Sequence, residues 1–326
     1  MKGHPWLQFD PNGLRLVPNT HRKYRARINN RIIKLDINSS GIRGPEIETI
    51  PPPHTLRILF LGDSVIFGPG LEYEETVPRR LSRILGPYVQ VLNGGVPGLN
   101  LEQEVDFLIE KRKELNSDMV VVGFYLNDAV KSIVLKEEYG ELDEFSAGVL
   151  SDLRAASSLF NYLWKRFNVR RLLKARGMET AWVEPFLSKK WESDSEVYRR
   201  IIRTAGDDFG AAWDKDSWEI IDRQLARLVE TCEASGRPPA AVVFPVSIQV
   251  ESDYYDDFPQ KKFAQLAREH NIKYLDLLPL LRKHREEKLF FDQCHLTSKG
   301  TELAARFIAR WLKSEVLMER PRSQTP

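Results

Sequence analysis

Two cysteines in 326 residues are too few for a disulfide framework. Cys232 and Cys294 form neither a CxxC pair nor a zinc-ligand pattern, and a single bridge between them is neither required nor excluded. An excess of one charge is also missing. The 48 basic and 46 acidic side chains leave a formal charge of +2, so no global field points to a nucleic-acid partner. Local clusters such as Lys165-Arg166 with Arg170-Arg171, or Arg199-Arg200, read as solvated helix faces. No run approaches the roughly 18 apolar residues of a transmembrane segment. The start, Met1-Lys2-Gly3-His4-Pro5-Trp6, lacks the apolar centre of a signal peptide. The chain as written is therefore expected to be cytoplasmic, although an extracytoplasmic protein that had lost an anchor ahead of Met1 would read the same. Internal repeats and low-complexity tracts are absent.

What is present suits an ordinary globular protein, with 42% hydrophobic residues and enough length for a large core. Residues 1–55 read as a β-rich extension packed on the main domain. Within it, Ala26-Arg27-Ile28, Asn29-Asn30 and Arg31–Ile37 suggest a hairpin with an Asn-Asn turn. Gly41-Ile42-Arg43-Gly44-Pro45 and Pro51-Pro52-Pro53 punctuate the way to the core. From residue 56 to about 320, continuous apolar runs at Leu56–Leu61, Val89–Leu92, Met119–Tyr125, Ala240–Val246 and Lys273–Leu277 alternate with helical patterns. Those patterns lie at Glu75–Leu85, Leu101–Lys113, Trp218–Ala234, Lys261–His270 and Leu296–Glu315. Short apolar runs bounded by turn residues suit strands buried on both faces of a parallel sheet. The expected fold is a three-layer α/β/α, flavodoxin-like domain with five parallel strands. Residues 129–216 interrupt this rhythm without a convincing strand and are expected to form a helical insertion. Its amphipathic stretch Leu153–Leu173 suits a small core of its own, or a lid. Its aromatics Trp164, Trp182 and Trp191 suit core packing or an apolar or sugar-binding surface. A flexible tail is expected over 321–326.

Function in such folds gathers beyond the carboxyl ends of the strands, and three successive strand ends here carry chemistry. The first run ends in Gly62-Asp63-Ser64, which places a serine at a strand-to-helix junction. Helix N–H groups there would face a developing oxyanion, although an N-capping serine is the plainer reading. The second run ends in Asn93-Gly94-Gly95-Val96-Pro97-Gly98, where glycines let backbone approach a ligand. The third ends in Asn127-Asp128. Far downstream, Asp292-Gln293-Cys294-His295 offers an acid and a base before a helix. Serine needs such a base within hydrogen-bond reach to become a nucleophile. Cys294 is a weak rival nucleophile, because neighbouring side chains on a turn usually point apart. His54, His270 and His284 read as surface or structural histidines.

Taken in order, these blocks resemble the SGNH/GDSL hydrolase superfamily over roughly residues 55–312. The resemblance implies Ser64 as nucleophile, His295 as general base and Asp292 as its orienting partner. It implies an oxyanion hole of the Ser64 N–H, the Gly98 N–H and the Asn127 amide, with Asn93, Gly95 and Asp128 in support. Asp63 beside the nucleophile reads as a loop-holding hydrogen-bond acceptor. Tyr125 stands where the superfamily often has glycine two residues before the Asn. The implied reaction is hydrolysis of a carboxylic ester through an acyl-serine intermediate, on a lipid, a short-chain acyl ester or an acetylated carbohydrate, with no metal or organic cofactor. The same groups would serve an O-acyltransferase, and a non-catalytic binding protein that keeps the fold is the alternative of another class. A metal at Asp292 and His295 would need companion ligands that the spacing does not offer.

Overall fold

Burial on both faces makes the central strands continuous apolar runs, and the helices that cover those faces complete the layers. The computed structural model describes residues 6–10, 13–26, 28–129, 181–233 and 238–317. The stretch Leu153–Leu173 with its basic pairs, Trp164 and the tail 321–326 lie outside the described residues. Two antiparallel hairpins come first: β1 (Leu7–Asp10) with β2 (Gly13–Leu16), and β3 (Thr20–Arg25) with β4 (Ile32–Ile37). The strands β5 (Leu56–Gly62), β6 (Val89–Gly95), β7 (Met119–Tyr125), β8 (Ala240–Phe244) and β9 (Lys273–Asp276) then form one parallel sheet. Its order is β6-β5-β7-β8-β9, the flavodoxin-like arrangement, which reverses direction between β6 and β7 across β5. Every residue of β7 is buried, as a strand at the middle of such a sheet must be.

Between β5 and β6 lie α1 (Ser64–Phe67) and α2 (Val77–Leu85), and α3 (Leu101–Leu115) leads to β7. Before β8 come α4 (Val183–Leu187), α5 (Ser195–Thr204) and α6 (Ser217–Glu233). α7 (Ser247–Glu251) and α8 (Phe258–Glu269) join β8 to β9, and α9 (Leu278–Leu281) and α10 (Ser298–Trp311) follow. α2 packs on α10 over one face of the sheet, while α3, α6 and α8 pack together over the other. The result is a three-layer α/β/α fold. Residues 181–216 hold no strand; they form α4, α5 and two 3₁₀ turns. Among the described residues no helix is long and apolar enough to cross a membrane.

The elements depart from sequence expectation where backbone pairing or caps override side-chain pattern. β6 runs on through Gly94 and Gly95, because Leu61 and Gly62 of β5 are still there to pair with. α2 starts at Val77, since Tyr73–Glu75 is a separate 3₁₀ turn held by a reciprocal Glu72–Glu75 cap. In the second hairpin the upstream strand is Thr20–Arg25 rather than Ala26–Ile28. Past that strand the Ala26 N–H donates to the Arg31 carbonyl at 2.8 Å, and Asn30 is left-handed at φ 60°. Asn29 Nδ2 donates to the Gly70 carbonyl at 2.8 Å and ties this hairpin to the main domain. The β1–β2 hairpin goes beyond the sequence expectation. Trp6, Leu16, Leu35, Ile37 and Ile42 share one buried cluster with the sheet. Trp6 lies flat on Phe67 of α1, with ring centroids 5.1 Å and planes 9° apart.

Candidate active site

The strand-to-helix turn after β5 is built by Asp63. Its Oδ1 accepts the Val65 N–H at 2.8 Å and caps α1. The cap is thus the aspartate, and Ser64 is the first helical residue with its side chain free for other work. Ser64 Oγ lies 2.9 Å from His295 Nε2. On the far side of the ring, His295 Nδ1 sits 2.8 Å from Asp292 Oδ2 and 3.0 Å from Oδ1. A carboxylate can only accept, so Nδ1 carries the proton and Nε2 faces the serine as an acceptor.

Asp292 also shapes the turn, because its Oδ1 accepts the N–H groups of Cys294 at 3.0 Å and His295 at 2.9 Å. Phe291 N–H to the His295 carbonyl at 2.8 Å closes it, and Thr297 caps α10 directly afterwards. Burial by itself raises the Asp292 pKa, but the hydrogen bond and charge of His295 outweigh it and hold the carboxyl below its usual value. For His295 burial pulls the other way, and Asp292, with Asp63 and Asp208, still raises the imidazolium pKa.

This turn brings Cys294 to the same side as His295, against the expectation that they point apart. Its Sγ is 3.4 Å from Nδ1, since the two N–H groups bound to one carboxylate oxygen curl both residues around it. Burial pushes the thiol pKa well above its ordinary value, which disfavours the thiolate, and Nε2 points at Ser64 instead. Asp292, Cys294 and His295 offer three metal-donor atoms within 4.8 Å of one another. His295 Nδ1 and both Asp292 oxygens are already committed to each other.

The other strand ends converge through backbone. Asn93 Nδ2 donates to the Ile66 carbonyl at 3.0 Å, and its Oδ1 accepts the Gly95 N–H at 3.0 Å, which ties the β6 loop to α1. A Cβ on Gly95 would stand 2.2 Å from the Phe67 nitrogen, so only glycine permits this approach. Gly98 holds φ at +86°, a conformation costly for other residues. Asn127 Nδ2 donates to Asp63 Oδ2 at 3.2 Å, and the same oxygen lies 3.5 Å from Ser64 Oγ. Asp63 therefore touches Ser64, the first turn of α1 and Asn127 together, and burial raises its pKa despite those donors and His295. Asp128 Oδ2 accepts the Tyr125 N–H at 2.9 Å and braces the turn that presents Asn127. Tyr125 itself is buried, with its hydroxyl beside the Cys294 thiol. The other histidines singled out from the sequence lie elsewhere: His54 is exposed, His270 pairs with Asp222 and His284 with Glu287.

Sequence reading missed three side chains around this centre. Arg43, fully buried, donates to the carbonyls of Phe67 and Gly68 at 2.7 Å each and of Leu71 at 2.5 Å. Its guanidinium covers the Phe67 ring at 4.8 Å. No sequence signal marks it, since Gly41-Ile42-Arg43-Gly44-Pro45 reads as turn punctuation. Asp208 accepts from the Phe209 N–H at 2.9 Å and from Gln293 Nε2 at 3.2 Å, so residues before α6 grip the turn that carries His295. Burial lifts the Asp208 pKa to about 6. Glu104 on α3 is buried, neither of its oxygens has a partner among the described residues, and burial followed by the charges of Asp128 and Asp63 raises its pKa strongly.

No family model matches the chain, and no curated protein matches it. Solved structures do. A lipase/acylhydrolase from Enterococcus faecalis is 15% identical with a TM-score of 0.40, covering 79% of this chain and 96% of its own. The aryl esterase of M. smegmatis is 13% identical with a TM-score of 0.42, over 80% and 99% respectively. A carbohydrate acetylesterase from Sinorhizobium meliloti is 12% identical with a TM-score of 0.40, over 79% and 99%. Likenesses this remote bear on no individual residue here; the strand order and the Ser64–His295–Asp292 chain stand on their own.

Proposed function

We propose that the chain is a serine hydrolase that cleaves carboxylic esters through an acyl-serine intermediate on Ser64. One observation carries the reading: a continuous hydrogen-bonded chain from Ser64 Oγ through both nitrogens of His295 to Asp292, set at the first turn of α1. His295 Nε2 takes the Ser64 proton as Oγ bonds to the ester carbonyl carbon. Asp292 holds the imidazole in the tautomer that can accept and stabilises the imidazolium that forms. The carbonyl oxygen becomes an oxyanion, for which the N–H groups of Ser64 and Gly98 and the Asn127 amide are the donors we assign. Collapse breaks the ester C–O bond, and the departing alcohol takes the proton from His295. Water then repeats the sequence on the acyl-enzyme and frees the acid.

Hydrolysis of p-nitrophenyl acetate and butyrate by the wild-type chain, lost in Ser64→Ala, is the expected result. A fluorophosphonate probe should label Ser64 and leave Ser64→Ala unlabelled. Equal hydrolysis by the two proteins would sink the assignment, and absence of labelling in an intact wild-type fold would favour a binding protein instead.

A further inference from the structure

Glu104 of α3 is 1% exposed, and neither of its carboxyl oxygens has a partner among the described residues. α3 packs on β5 and on the 3₁₀ turn Leu126–Ala129. Two more buried carboxyls stand there, Asp63 directly after β5 and Asp128 within the turn. The three differ in what they receive. Asp63 accepts the Val65 N–H at 2.8 Å and Asn127 Nδ2 at 3.2 Å. Asp128 accepts the Tyr125 N–H at 2.9 Å through Oδ2, while its buried Oδ1 has no partner among the described residues. Glu104 alone accepts from no donor there.

The charges acting on Glu104 are of one sign. Asp128 acts most strongly and Asp63 next, and both oppose its ionisation. The charged groups of the other elements on α3 are engaged elsewhere. On α6, Arg227 pairs with Asp106 and Asp222 with His270; on β2, Arg15 pairs with Glu110. A carboxylate can only accept, and a buried one without a donor costs far more than its neutral acid. Of three carboxyls that repel one another, the proton settles on the one that no donor stabilises. A neutral Glu104 is then itself a donor, set on a helix that packs against the turn bearing the unpartnered Asp128 oxygen. Asp128 in turn braces the backbone that presents Asn127.

We infer that Glu104 is a neutral acid in the working protein and a positioning residue for Asn127, acting through Asp128. The positioning role rests on the esterase reading; the proton on Glu104 does not.

Two variants test it. Glu104→Gln keeps the shape and a donor without the charge, and Glu104→Leu removes the donor. In carbon-13 NMR of the chain labelled at its glutamate carboxyls, the signal lost in Glu104→Gln should lie at the neutral-acid position at neutral pH. A carboxylate position overturns the proposal. Melting temperatures give a second readout that needs no activity. The neutral form is favoured in the fold, so wild-type stability falls as pH rises above about 4.3, and the advantage of Glu104→Gln should widen with pH. A gap that stays constant or closes overturns the proposal.

Hydrolysis of p-nitrophenyl acetate reads the positioning. At neutral pH Glu104→Gln should keep kcat within about twofold of wild type with KM little changed. Glu104→Leu should lose about 10–10²-fold in kcat. Wild-type kcat should fall in alkaline solution as Glu104 ionises, and Glu104→Gln should lack that fall. Equal losses in the two variants, or an alkaline fall that persists in Glu104→Gln, overturn the role. The pH comparison uses only Glu104→Gln, so it decides the matter even where Glu104→Leu does not fold. If wild type hydrolyses no ester yet the carboxyl signal is that of a neutral acid and the stability gap widens, the esterase reading fails and the assignment of the proton stands.

Discussion

Replacing Arg43 by methionine keeps most of the side-chain volume and removes the cation that holds the C-terminal end of α1. Three charge-assisted hydrogen bonds disappear, to the carbonyls of Phe67, Gly68 and Leu71. Hydrogen bonds to charged groups contribute about 1.5–3 kcal/mol each, so the gross loss is roughly 4.5–9 kcal/mol by that scale. Against this stands the cost of keeping a guanidinium out of water, visible in burial lowering its pKa to about 10. Removing the cation leaves three buried carbonyls short of a donor, at about 1–3 kcal/mol each, partly offset by the recovered desolvation, so a net loss of about 3 kcal/mol is expected here. The effect should reach the chemistry as well. α1 is four residues long, with Ser64 at one end and the anchored carbonyls at the other. Slack at the anchor therefore moves the nucleophile, and a misplacement near 1 Å costs about 10²-fold in rate. Urea denaturation gives the stability change, and fluorophosphonate labelling of Ser64 gives the reactivity at temperatures where the variant stays folded. Arg43→Lys should fall between the two, since an ammonium cannot span three carbonyls. An Arg43→Met protein within about 1 kcal/mol of wild type and labelled equally fast would refute the reasoning.

Asn127→Ala should lose about 10²–10³ in kcat with little change in stability, the loss typical of one oxyanion donor; steady-state hydrolysis of p-nitrophenyl acetate measures it. The same rate should rise with pH through a midpoint above the ordinary histidine value, because Asp292 raises the pKa of His295. Asp292→Asn should move that midpoint down and cut the rate by about 10³–10⁴. The pair also stabilises the fold in a defined window. His295, with its pKa raised, contributes fully below about 6.5 and less as pH rises through its folded value. Asp292, with its pKa lowered, contributes above about 3.9 and less as pH falls through its folded value. The melting-temperature gap between wild type and Asp292→Asn should therefore be widest at about pH 4–6.5. Asp208 behaves in the opposite sense, as burial raises its folded pKa to about 6. The protonated form is favoured in the fold, so stability falls as pH rises through that value. Asp208→Asn should then be more stable than wild type above pH 6 and converge with it near about pH 4.

The five sheet strands were legible because each must be apolar along its whole length to sit between two helical layers. Their ends were less so: Gly94 and Gly95 carry no side chain to report that β6 continues, and only pairing with β5 keeps them in the strand. The first strand of the β3–β4 hairpin was placed too far downstream because the turn region is held by backbone hydrogen bonds and an Asn29–Gly70 contact, neither of which leaves a periodic trace. At the site, Ser64, Asp292 and His295 were named from chemistry-bearing residue types in a turn context. Arg43 was not, because nothing local distinguishes an arginine that will be enclosed by three carbonyls from one in a surface turn.

Local sequence by itself determined the parallel, alternating architecture and the identity of the acid, base and nucleophile candidates, since periodicity and turn chemistry act over a few residues. Tertiary structure alone decided that Ser64 Oγ meets His295 Nε2 across a separation of 231 residues. It also decided that Asp63 rather than Ser64 caps α1, that Cys294 shares its face with His295, and that Glu104 is buried without a donor among the described residues. Those outcomes depend on burial and on atoms a few ångströms apart, which are properties of the packed chain and of no segment within it.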